Sequence, residues 1–591
     1  MVQVPTQPKV MFPHQAPNFH AASWQNRPPG QHTWHALDTA FGQGESFVNT
    51  LEAWRQDADP PRQLFLTAFN TAAPQHLVPS LVSLCTGLLP GVHRFVFEQG
   101  RVHLTLCIGN APHVAKEIDI TTHSMCVDHI DTWGVKTLAR LCKVGTQLKW
   151  QQASPSCIAE LKSAGFQIDS SNQWASYQPP WPVKSAMRQR PQAMACLVTA
   201  PPQNAIVVGA GLAGSAVAYS LATRGWKVLV LDQGSALGAG ASGLPAGIFA
   251  THVSPDNNVL SRITRDGVRA TMQRANSLLK QGLDWDLSSL LEHRYSGKRE
   301  LPKADLWPKA GHEWSTDASE QQKLRGGLSA DAEALWHPLA GWLKPQALVK
   351  AQLSHANIKV QTSQKVAKLM ALNHEWQCLD SQASLIAQAP LVVLANAYDA
   401  QALIDSIPHS SQNAPPPRLP ATALRGQVTM GPMRVLPTNL QNNLPHFPVN
   451  GHGSLIAHLQ GTAAADDAYW IVGSSFQRNE FDTPIRHEDQ VSNLQQWAEL
   501  MPALQDHILN QIDLQQTTGW AAIRMALPDR LPAVGAFSHA ELNGLAVCTG
   551  LGARGISWAV LCGELLAAQV NHEPLPMAAS LVKLMAANRF G

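Results

Sequence analysis

The stretch Ala205-Ile-Val-Val-Gly209-Ala-Gly211-Leu-Ala-Gly214 decides the fold of most of this chain. Its apolar residues predict a short strand. Gly209 then allows a tight turn, Gly211 lets the backbone approach a pyrophosphate, and Gly214 lets a helix pack on the strand. A second apolar strand, 226–231, ends at Asp232, which is placed to accept a hydrogen bond from a ribose hydroxyl. Strand, glycines, helix, strand and acid in this order predict a dinucleotide-binding βαβ unit.

The end of the chain carries a second glycine-rich turn. Residues 545–549 predict a strand, Gly550-Leu-Gly552-Ala-Arg-Gly555 a turn, and 556–570 a long helix. The N–H groups at the start of such a helix suit the negative charge of a reduced flavin. A nicotinamide enzyme has no need of this second turn, so the pattern predicts FAD, with Gly550, Gly552 and Gly555 binding it. The alternative is a simple strand–turn–helix connection.

Length and composition bound the remaining possibilities. A chain of 591 residues predicts more than one domain. It has no apolar run of the roughly 18 residues that cross a membrane, and its N-terminus lacks a signal-peptide core. We therefore expect a cytoplasmic protein without a membrane partner. Nine scattered cysteines without a C-x-x-C motif predict no metal site. The net charge of +2 neither demands nor excludes a nucleic-acid partner.

The chain divides into four parts. Residues 1–30 are rich in Pro, Gln and His and predict a loose arm, and 178–203 form a proline-dense linker. Between them, 31–177 alternate strands with helices. Strands are predicted at 63–68, 93–98, 102–108, 124–127 and 146–149, and helices at 45–55, 75–88 and 132–142. Residues 204–591 predict a second α/β domain, with a substrate layer of strands and helices interleaved at about 286–334 and 401–514.

Several short motifs carry a resemblance to a known family. They are Gly240-Ala-Ser-Gly243, Gly341-Trp-Leu-Lys-Pro345, Val392-Val-Leu-Ala-Asn396, Arg425-Gly-Gln427 and Leu531-Pro-Ala-Val-Gly535. With the two glycine turns, they resemble the glycine/D-amino-acid oxidase superfamily. Asp256-Asn-Asn258, Leu260-Ser-Arg262 and Glu573-Pro-Leu-Pro-Met577 narrow the resemblance to the bacterial bifunctional tRNA 5-methylaminomethyl-2-thiouridine biosynthesis proteins. Pro90-Gly-Val-His-Arg94 and Glu98-Gln-Gly-Arg-Val102 are similar to the methyltransferase module of the same family.

This resemblance implies an architecture and an activity. The fold is α/β: a Rossmann-like methyltransferase-type domain, followed by an FAD-binding oxidoreductase domain with an interleaved α+β substrate layer. The partner is tRNA, and a monomer is expected. The FAD domain would oxidise 5-carboxymethylaminomethyl-uridine at the wobble position, releasing glyoxylate and leaving an aminomethyl group. Since the cofactor carries the difficult step, the protein has chiefly to position the substrate carboxylate.

The resemblance also assigns site residues. Arg524 precedes the Leu-Pro-x-x-Gly strand, where the superfamily has an arginine, and its guanidinium suits a bidentate grip on a carboxylate; the alternative is a salt bridge to a core acid. Arg554 is expected near the flavin or the substrate, the alternative being a surface arginine. Ser242 and Gly243 belong to the cofactor loop. Gln427 is expected to line the flavin-facing strand, although a plain strand residue fits equally.

The first domain departs from its family at several places. The family has E-x-G-F-G-x-G where this chain has Asp38-Thr-Ala40-Phe-Gly42-Gln-Gly44, and Ala40 would obstruct a positive φ. The second strand ends at Phe69-Asn70 without the acid that holds the adenosyl ribose. Gly109-Asn110 replaces Gly-Asp, and the loop Asp128-His-Ile-Asp131-Thr-Trp133 is short. These changes predict that the S-adenosylmethionine site is degenerate and methyl transfer doubtful.

Two other functions fit the pattern. The chain would be a free amino-acid oxidase of the glycine or sarcosine type if its first third were an unrelated appendage. It would be a tRNA-binding scaffold if its flavin were only structural.

Overall fold

The computed structural model describes residues 18–590 except 75, 83, 170–172, 184–202, 295–299, 409–416, 462–467 and 538. Residues 1–17 of the expected arm and most of the expected linker therefore lie outside the described residues. None of the described helices is long and apolar enough to cross a membrane. In the same residues, no three His, Cys, Asp or Glu side chains cluster closely enough to hold a metal ion.

The first part of the chain contains helices α1 (Phe19–Gln25), α2 (Glu45–Gln56), α3 (Pro79–Val82), α4 (Ala111–Val114), α5 (Ile130–Trp133), α6 (Val135–Arg140) and α7 (Pro155–Ser163), and strands β1 (Thr33–Asp38), β2 (Gln63–Asn70), β3 (Gly91–Phe97), β4 (Val102–Ile108), β5 (Thr122–His129), β6 (Cys142–Gln152), β7 (Phe166–Asp169) and β8 (Trp174–Tyr177). They form one sheet of order β3-β4-β2-β1-β5-β6-β8-β7. Its central strands are parallel, whereas β3 and β8 are antiparallel to their neighbours. This is the Rossmann-like domain expected from the sequence.

Two local expectations for this domain were wrong. Part of the segment expected to be loose is ordered: α1 packs against the sheet, with Trp24 buried and its indole N–H donating to Asp57. The helix expected over 75–88 shrinks to α3, because Pro74 and Pro79 interrupt the pattern and Gly87 has a φ of +69°.

The second part of the chain contains helices α8 (Leu212–Ala222), α9 (Val259–Leu278), α10 (Lys309–His312), α11 (Glu320–Arg325), α12 (Pro345–Leu353), α13 (Ala400–Asp405), α14 (Thr438–Asn443), α15 (His487–Leu500), α16 (Gln505–Gln511), α17 (Gly555–Val570) and α18 (Ala579–Met585). Its strands are β9 (Asn204–Val208), β10 (Lys227–Leu231), β11 (Gly247–Phe249), β12 (Trp285–Asp286), β13 (Leu290–His293), β14 (Thr316–Asp317), β15 (Ala334–His337), β16 (Gly341–Leu343), β17 (Ile358–Gln361), β18 (Lys368–Leu372), β19 (Glu375–Leu379), β20 (Leu385–Ala389), β21 (Leu391–Leu394), β22 (Thr422–Pro432), β23 (Val449–Gly451), β24 (Gly453–Leu459), β25 (Tyr469–Gly473), β26 (Gln477–Arg478), β27 (Thr518–Ala526), β28 (Ala533–Ala536) and β29 (Leu545–Thr549).

The dinucleotide sheet has the order β17-β10-β9-β21-β29-β28, and its first five strands are parallel. The sheet therefore joins strands from both ends of the domain. Helices α8 and α17 pack face to face against it, and a Cβ atom at Gly563 would lie 2.6 Å from the backbone of Ala216. This close helix contact holds the N-termini of α8 and α17 side by side.

The substrate layer is a mixed sheet of order β14-β15-β13-β23-β24-β25-β22-β26, with β27 also paired to β22. It extends beyond the expected range of 401–514, because β27 lies in it. In contrast, α13 packs its apolar residues into the core of the dinucleotide sheet. Two small three-stranded sheets, β11-β16-β12 and β18-β19-β20, complete the domain.

The two domains meet along the edge strand β3. The side chain of Gln273 on α9 pairs with this strand, accepting from Val96 N at 2.9 Å and donating to Arg94 O at 3.1 Å. The Arg94 guanidinium donates in turn to the carbonyl oxygens of Pro574 and Leu575. The motifs around Arg94 and Pro574 that carried the family resemblance therefore form an interface between the domains.

A buried charge network lies behind this interface. Glu564 on α17 binds both Arg274 at 2.7 Å and Arg224 at 3.0 Å, and Arg224 also binds Glu573 at 2.7 Å. The two arginines balance the two carboxylates, as buried charges require.

Candidate active site

The first glycine turn forms where β9 meets α8. Gly209 has a φ of +108°, and a Cβ atom there would lie 2.7 Å from the carbonyl oxygen of Ala395. A Cβ atom at Gly214 would lie only 1.8 Å from the carbonyl oxygen of Gly209. Both positions therefore require glycine for the turn itself. Gly211 is the N-cap residue of α8, so it lies where an anion would meet the free N–H groups of the helix.

Asp232 and Ser242 both contact this turn. The Asp232 carboxylate accepts hydrogen bonds from Ala210 N at 2.5 Å and from Gly234 N at 2.7 Å. The Ser242 hydroxyl accepts from Leu212 N at 2.9 Å, at the first turn of α8. The structure thus brings together the acid, the serine and the three glycines that the sequence selected.

The second glycine turn lies beside the first. Gly550 and Gly552 have φ values of +75° and +55°, and α17 begins at Gly555. A Cβ atom at Gly555 would lie 3.6 Å from a methyl group of Leu212, which begins α8. Two helix N-termini therefore converge at the carboxyl edge of the parallel sheet, where open α/β sheets bind their ligands.

The residues at this edge fit a dinucleotide such as FAD. The start of α8 suits its phosphates, and the start of α17 suits the negative charge of its reduced flavin ring. Beside Gly209, the Asn396 side-chain oxygen is buried and has no hydrogen-bond partner among the described residues. Since a buried polar atom without a partner is costly, this oxygen is a ready acceptor for a ligand hydroxyl. The cofactor-binding roles of the individual residues stay predictions.

Arg524 lies on β27, opposite Leu424 of β22. Its guanidinium lies over the neighbouring residue Gly426, with Nη2 at 2.8 Å from the position that a Cβ atom would take there. No hydrogen bond or ion pair joins it to any other described residue, so the expected alternative of a core salt bridge has no support. Burial lowers the pKa of this guanidinium. A buried cation without a partner is ready to receive an anion.

The face of the sheet that carries Arg524 is turned toward the dinucleotide domain. Val428 and Trp520 are directly paired on this face, and the Trp520 indole nitrogen lies 3.3 Å from the Cβ position of Gly243 in the cofactor loop. Val428 also packs in one apolar cluster with Ala246. Arg524 and the predicted cofactor loop therefore border the same space. Sequence reasoning missed Gly426, although the quoted motif Arg425-Gly-Gln427 contained it.

Gln427 lies on the opposite face of β22, and its side chain is fully engaged there. It accepts from Arg486 N at 2.8 Å and donates to Arg486 O at 2.8 Å. It also accepts from the buried Arg425, which binds Asp489. We therefore correct the expectation that this side chain touches the flavin: side chains alternate along a strand, and Gln427 anchors the segment before α15.

Arg554 is partly buried at the N-cap of α17, and its guanidinium lies 5.6 Å from the ring centroid of Trp558. It lies in the second glycine turn, and its expected place near the flavin or the substrate stays a prediction.

In the first domain, the residues expected to bind S-adenosylmethionine lie at the carboxyl edge of its sheet. Asp38 ends β1, and Thr39 donates to Asp128 at 2.7 Å. The Asp38 carboxylate accepts from Ala40 N, and burial raises its pKa, with the charge of Asp128 adding to the effect. Phe69 and Trp133 are almost fully buried and meet edge to face at 4.5 Å.

One of the expected defects in this domain is absent. Gly42 and Gly44 adopt positive φ angles of +58° and +94°, but Ala40 does not, so its methyl group causes no backbone strain. The other departures are seen in place. Asn70 ends β2 with an amide instead of an acid, and Asn110 is used as the N-cap of α4.

Comparison with known proteins assigns the family. Residues 204–569 match the family model described as FAD dependent oxidoreductase. Among solved structures, the fold is similar to glycine oxidase from Geobacillus kaustophilus (TM-score 0.52, 19% identity, covering 66% of this chain and 99% of that one). It is also similar to L-proline dehydrogenase from P. horikoshii (TM-score 0.50, 17% identity, covering 66% and 98%). These structures support the fold of the second domain.

Similarity to curated relatives runs through both domains. The tRNA 5-methylaminomethyl-2-thiouridine biosynthesis bifunctional protein MnmC of Polaromonas sp. (strain JS666) is 38% identical, over 94% of this chain and 91% of that protein. The protein of the same name from Delftia acidovorans is 38% identical, over 96% and 93%. The first third is thus not an unrelated appendage. The chain is an FAD-dependent oxidoreductase and belongs to the family of tRNA 5-methylaminomethyl-2-thiouridine biosynthesis bifunctional proteins.

Proposed function

We propose that this protein modifies the wobble uridine of tRNA by oxidative removal of the carboxymethyl group from 5-carboxymethylaminomethyl-uridine or its 2-thio form. The observation that carries the proposal is the buried guanidinium of Arg524, which has no partner among the described residues and borders the cofactor loop. A secondary amine with a carboxylate two bonds away is the substrate that such a cation beside a flavin would orient.

The residues of the chain have a limited task in this reaction. Bound FAD would supply the acceptor for the hydride of the methylene group between nitrogen and carboxylate, and water would open the resulting C=N bond to glyoxylate and the free aminomethyl group. Arg524 holds the carboxylate and so fixes the methylene carbon. The apolar cluster that contains Ala246 and Val428 limits access of water to the same face of the sheet.

We propose a different task for the first domain, residues 31–177. It contributes little or no methyl transfer and supports the FAD domain and the docking of tRNA. Its edge strand β3 is bound to α9 and to the segment around Pro574, so it stiffens the back of the FAD domain. Asn70 and Asn110 leave the adenosyl site without the acids that the family uses. A tRNA substrate also implies a cytoplasmic protein, and we expect a monomer.

The test is nucleoside mass spectrometry of tRNA that carries 5-carboxymethylaminomethyl-uridine, incubated with the purified protein with and without S-adenosylmethionine. We expect the free aminomethyl nucleoside in both reactions, and its formation about 10²- to 10³-fold less efficient with the Arg524→Met variant. A methylated nucleoside that requires S-adenosylmethionine would show that the first domain is active. Unchanged tRNA together with peroxide from added glycine or sarcosine would instead identify a free amino-acid oxidase.

A further inference from the structure

An exposed aromatic side chain lies next to Arg524. Strand β26 pairs with β22, so that Arg478 is opposite Leu424, and Leu424 is opposite Arg524 on the other side. Residues directly opposite one another share a face of the sheet, and residues two apart on a strand do so as well. Phe476 directly precedes β26, and the register continues there, since Ser475 N donates to Gln427 O. Phe476 therefore shares the face of Arg478 and Arg524, and its ring centroid lies 5.9 Å from the Arg478 guanidinium carbon.

Phe476 also lies near the end of the Arg524 side chain. The guanidinium covers Gly426, and the residues just before Phe476 touch the same point: Ser475 O and Ser474 Oγ lie 3.1 Å and 3.3 Å from the Cβ position of Gly426. Phe476 thus borders the carboxylate-binding cation, while 54% of its surface is open to solvent. An apolar ring this exposed beside a buried cation stands at the mouth of the site.

We infer that Phe476 is the platform on which the uracil ring of the substrate stacks. The inference rests on the proposed function, because chemistry on a wobble base requires that base to be splayed out and held, and aromatic side chains commonly hold such bases. The substituent places about four covalent bonds between its carboxylate carbon and the ring, roughly 5 Å when extended. The guanidinium of Arg524 lies over Gly426 of β22, and neighbouring chain segments of a sheet are about 4.8 Å apart. A carboxylate bound there therefore puts the ring over the segment beside β22 that contains Phe476, directly before β26.

The charged residues around Phe476 are compatible with a bound nucleotide. Arg478 is exposed, and it forms no ion pair with the residues that the structure describes, whereas the nearby Arg486 is neutralised by Glu480 and Asp482. A free cation beside an exposed ring suits a nucleotide, whose base stacks while its phosphate meets the charge. The other exposed ring in this segment, Phe481, is paired with Tyr398 at 5.1 Å.

The experiment measures kcat and KM of the FAD-loaded protein for tRNA with 5-carboxymethylaminomethyl-uridine, in the wild type and in three variants. Phe476→Leu keeps apolar volume and loses the stacking face. We expect KM to rise about 5- to 100-fold, with a smaller change in kcat. Phe476→Tyr keeps the face and should stay within about threefold of the wild type. Phe481→Leu removes an equally exposed ring nearby and should also change KM little.

The salt dependence of KM distinguishes stacking of the base on Phe476 from contact of the phosphate backbone with Arg478. Arg478→Gln should flatten the plot of log KM against log salt by about 0.7 to 0.9, whereas Phe476→Leu should raise KM without changing the slope. Equal activity of Phe476→Leu and the wild type would overturn the inference alone, as would equal losses in Phe476→Leu and Phe481→Leu. A wild type that leaves this tRNA unchanged would overturn the proposed function, and the inference with it. Flavin absorbance and melting temperature verify that each variant is folded and loaded.

Discussion

The guanidinium of Arg524 lies across Gly426, with Nη2 2.8 Å from the point where any other residue would carry its Cβ atom. The two residues lie on neighbouring strands, β27 and β22, and are offset by two residues in the register, since Arg524 is opposite Leu424. The absence of a side chain at Gly426 therefore gives the arginine its resting place. An arginine and a glycine that are almost a hundred residues apart in sequence act as one unit.

Gly426→Ala should displace this guanidinium. The strand should survive, because the nearest atom is the end of a flexible side chain. We expect the KM for the tRNA substrate to rise about tenfold or more, with normal flavin content, since the added methyl group shifts a charged hydrogen-bonding group from its position. The control is the double variant with Arg524→Met. If Gly426 acts only through the arginine, its substitution adds no further loss to that of Arg524→Met.

Arg524→Met should separate activity from stability. Loss of a buried partner for the substrate carboxylate should lower kcat/KM by about 10²- to 10³-fold. The melting temperature should stay the same or rise, because the folded protein no longer buries an unpaired cation. The kcat/KM of Arg524→Lys should lie between those of the wild type and Arg524→Met, since lysine keeps the charge and loses the bidentate arrangement of donors. Arg530→Met, an exposed arginine on the next turn, should match the wild type in both measurements; a large drop in its activity would point to a general charge effect.

The two glycine turns should respond differently to alanine. Gly214→Ala sets a methyl group against Gly209 O, so we expect loss of soluble, flavin-containing protein. Gly555→Ala meets only ordinary contacts and has a φ of −54°, so the fold should be kept. If FAD approaches the start of α17, Gly555→Ala should bind it more weakly at an unchanged melting temperature of the apoprotein. Normal FAD affinity in Gly555→Ala would remove this turn from the cofactor site.

Asp266 should make stability depend on pH. It lies on α9 in the cleft between the domains, and burial raises its pKa to about 7 although Arg265, Arg269 and Arg262 lower it. The unfolded chain releases this proton near pH 4, so the contribution is fully present below about pH 4 and is lost as the pH rises to about 7. The Asp266→Asn variant has no carboxyl group at this position that could titrate. In urea unfolding, the stability of the wild type relative to this variant should fall between about pH 4 and pH 7.

A pH-independent difference between the two proteins would show that the Asp266 carboxyl titrates alike in the folded and unfolded chains. Glu313→Gln, which changes another carboxylate at the domain interface, provides the comparison.

The parts of the fold that follow from local sequence were predicted well. The turns around Gly209 and Gly550 were located because glycines at fixed offsets from an apolar strand leave few alternatives. Strand β4 was predicted at its observed bounds, because a run of apolar residues ends there at Gly109. These elements depend on neighbours in sequence.

The errors arise where contacts between residues that are far apart in sequence determine the local structure. The face on which Gln427 lies depends on β22 pairing with β27 and packing on α15, and no local pattern shows which face a central strand turns to its cofactor. The ordering of α1 depends on the hydrogen bond that the Trp24 indole donates to Asp57. Phe476 could not be selected from the sequence, because its significance lies in its exposure beside Arg524, which the register across β26, β22 and β27 creates.

The order of strands in the dinucleotide sheet has a consequence for synthesis on the ribosome. Strand β29 lies between β21 and β28, and α17 packs on α8, so the last 50 residues complete a sheet whose first strand begins at residue 204. All strands of the first domain emerge together, whereas the sheet of the second domain is completed only when β29 emerges, long after its first strand. We therefore expect a chain whose synthesis stops before β29 to lack the completed flavin-binding sheet and to be colourless.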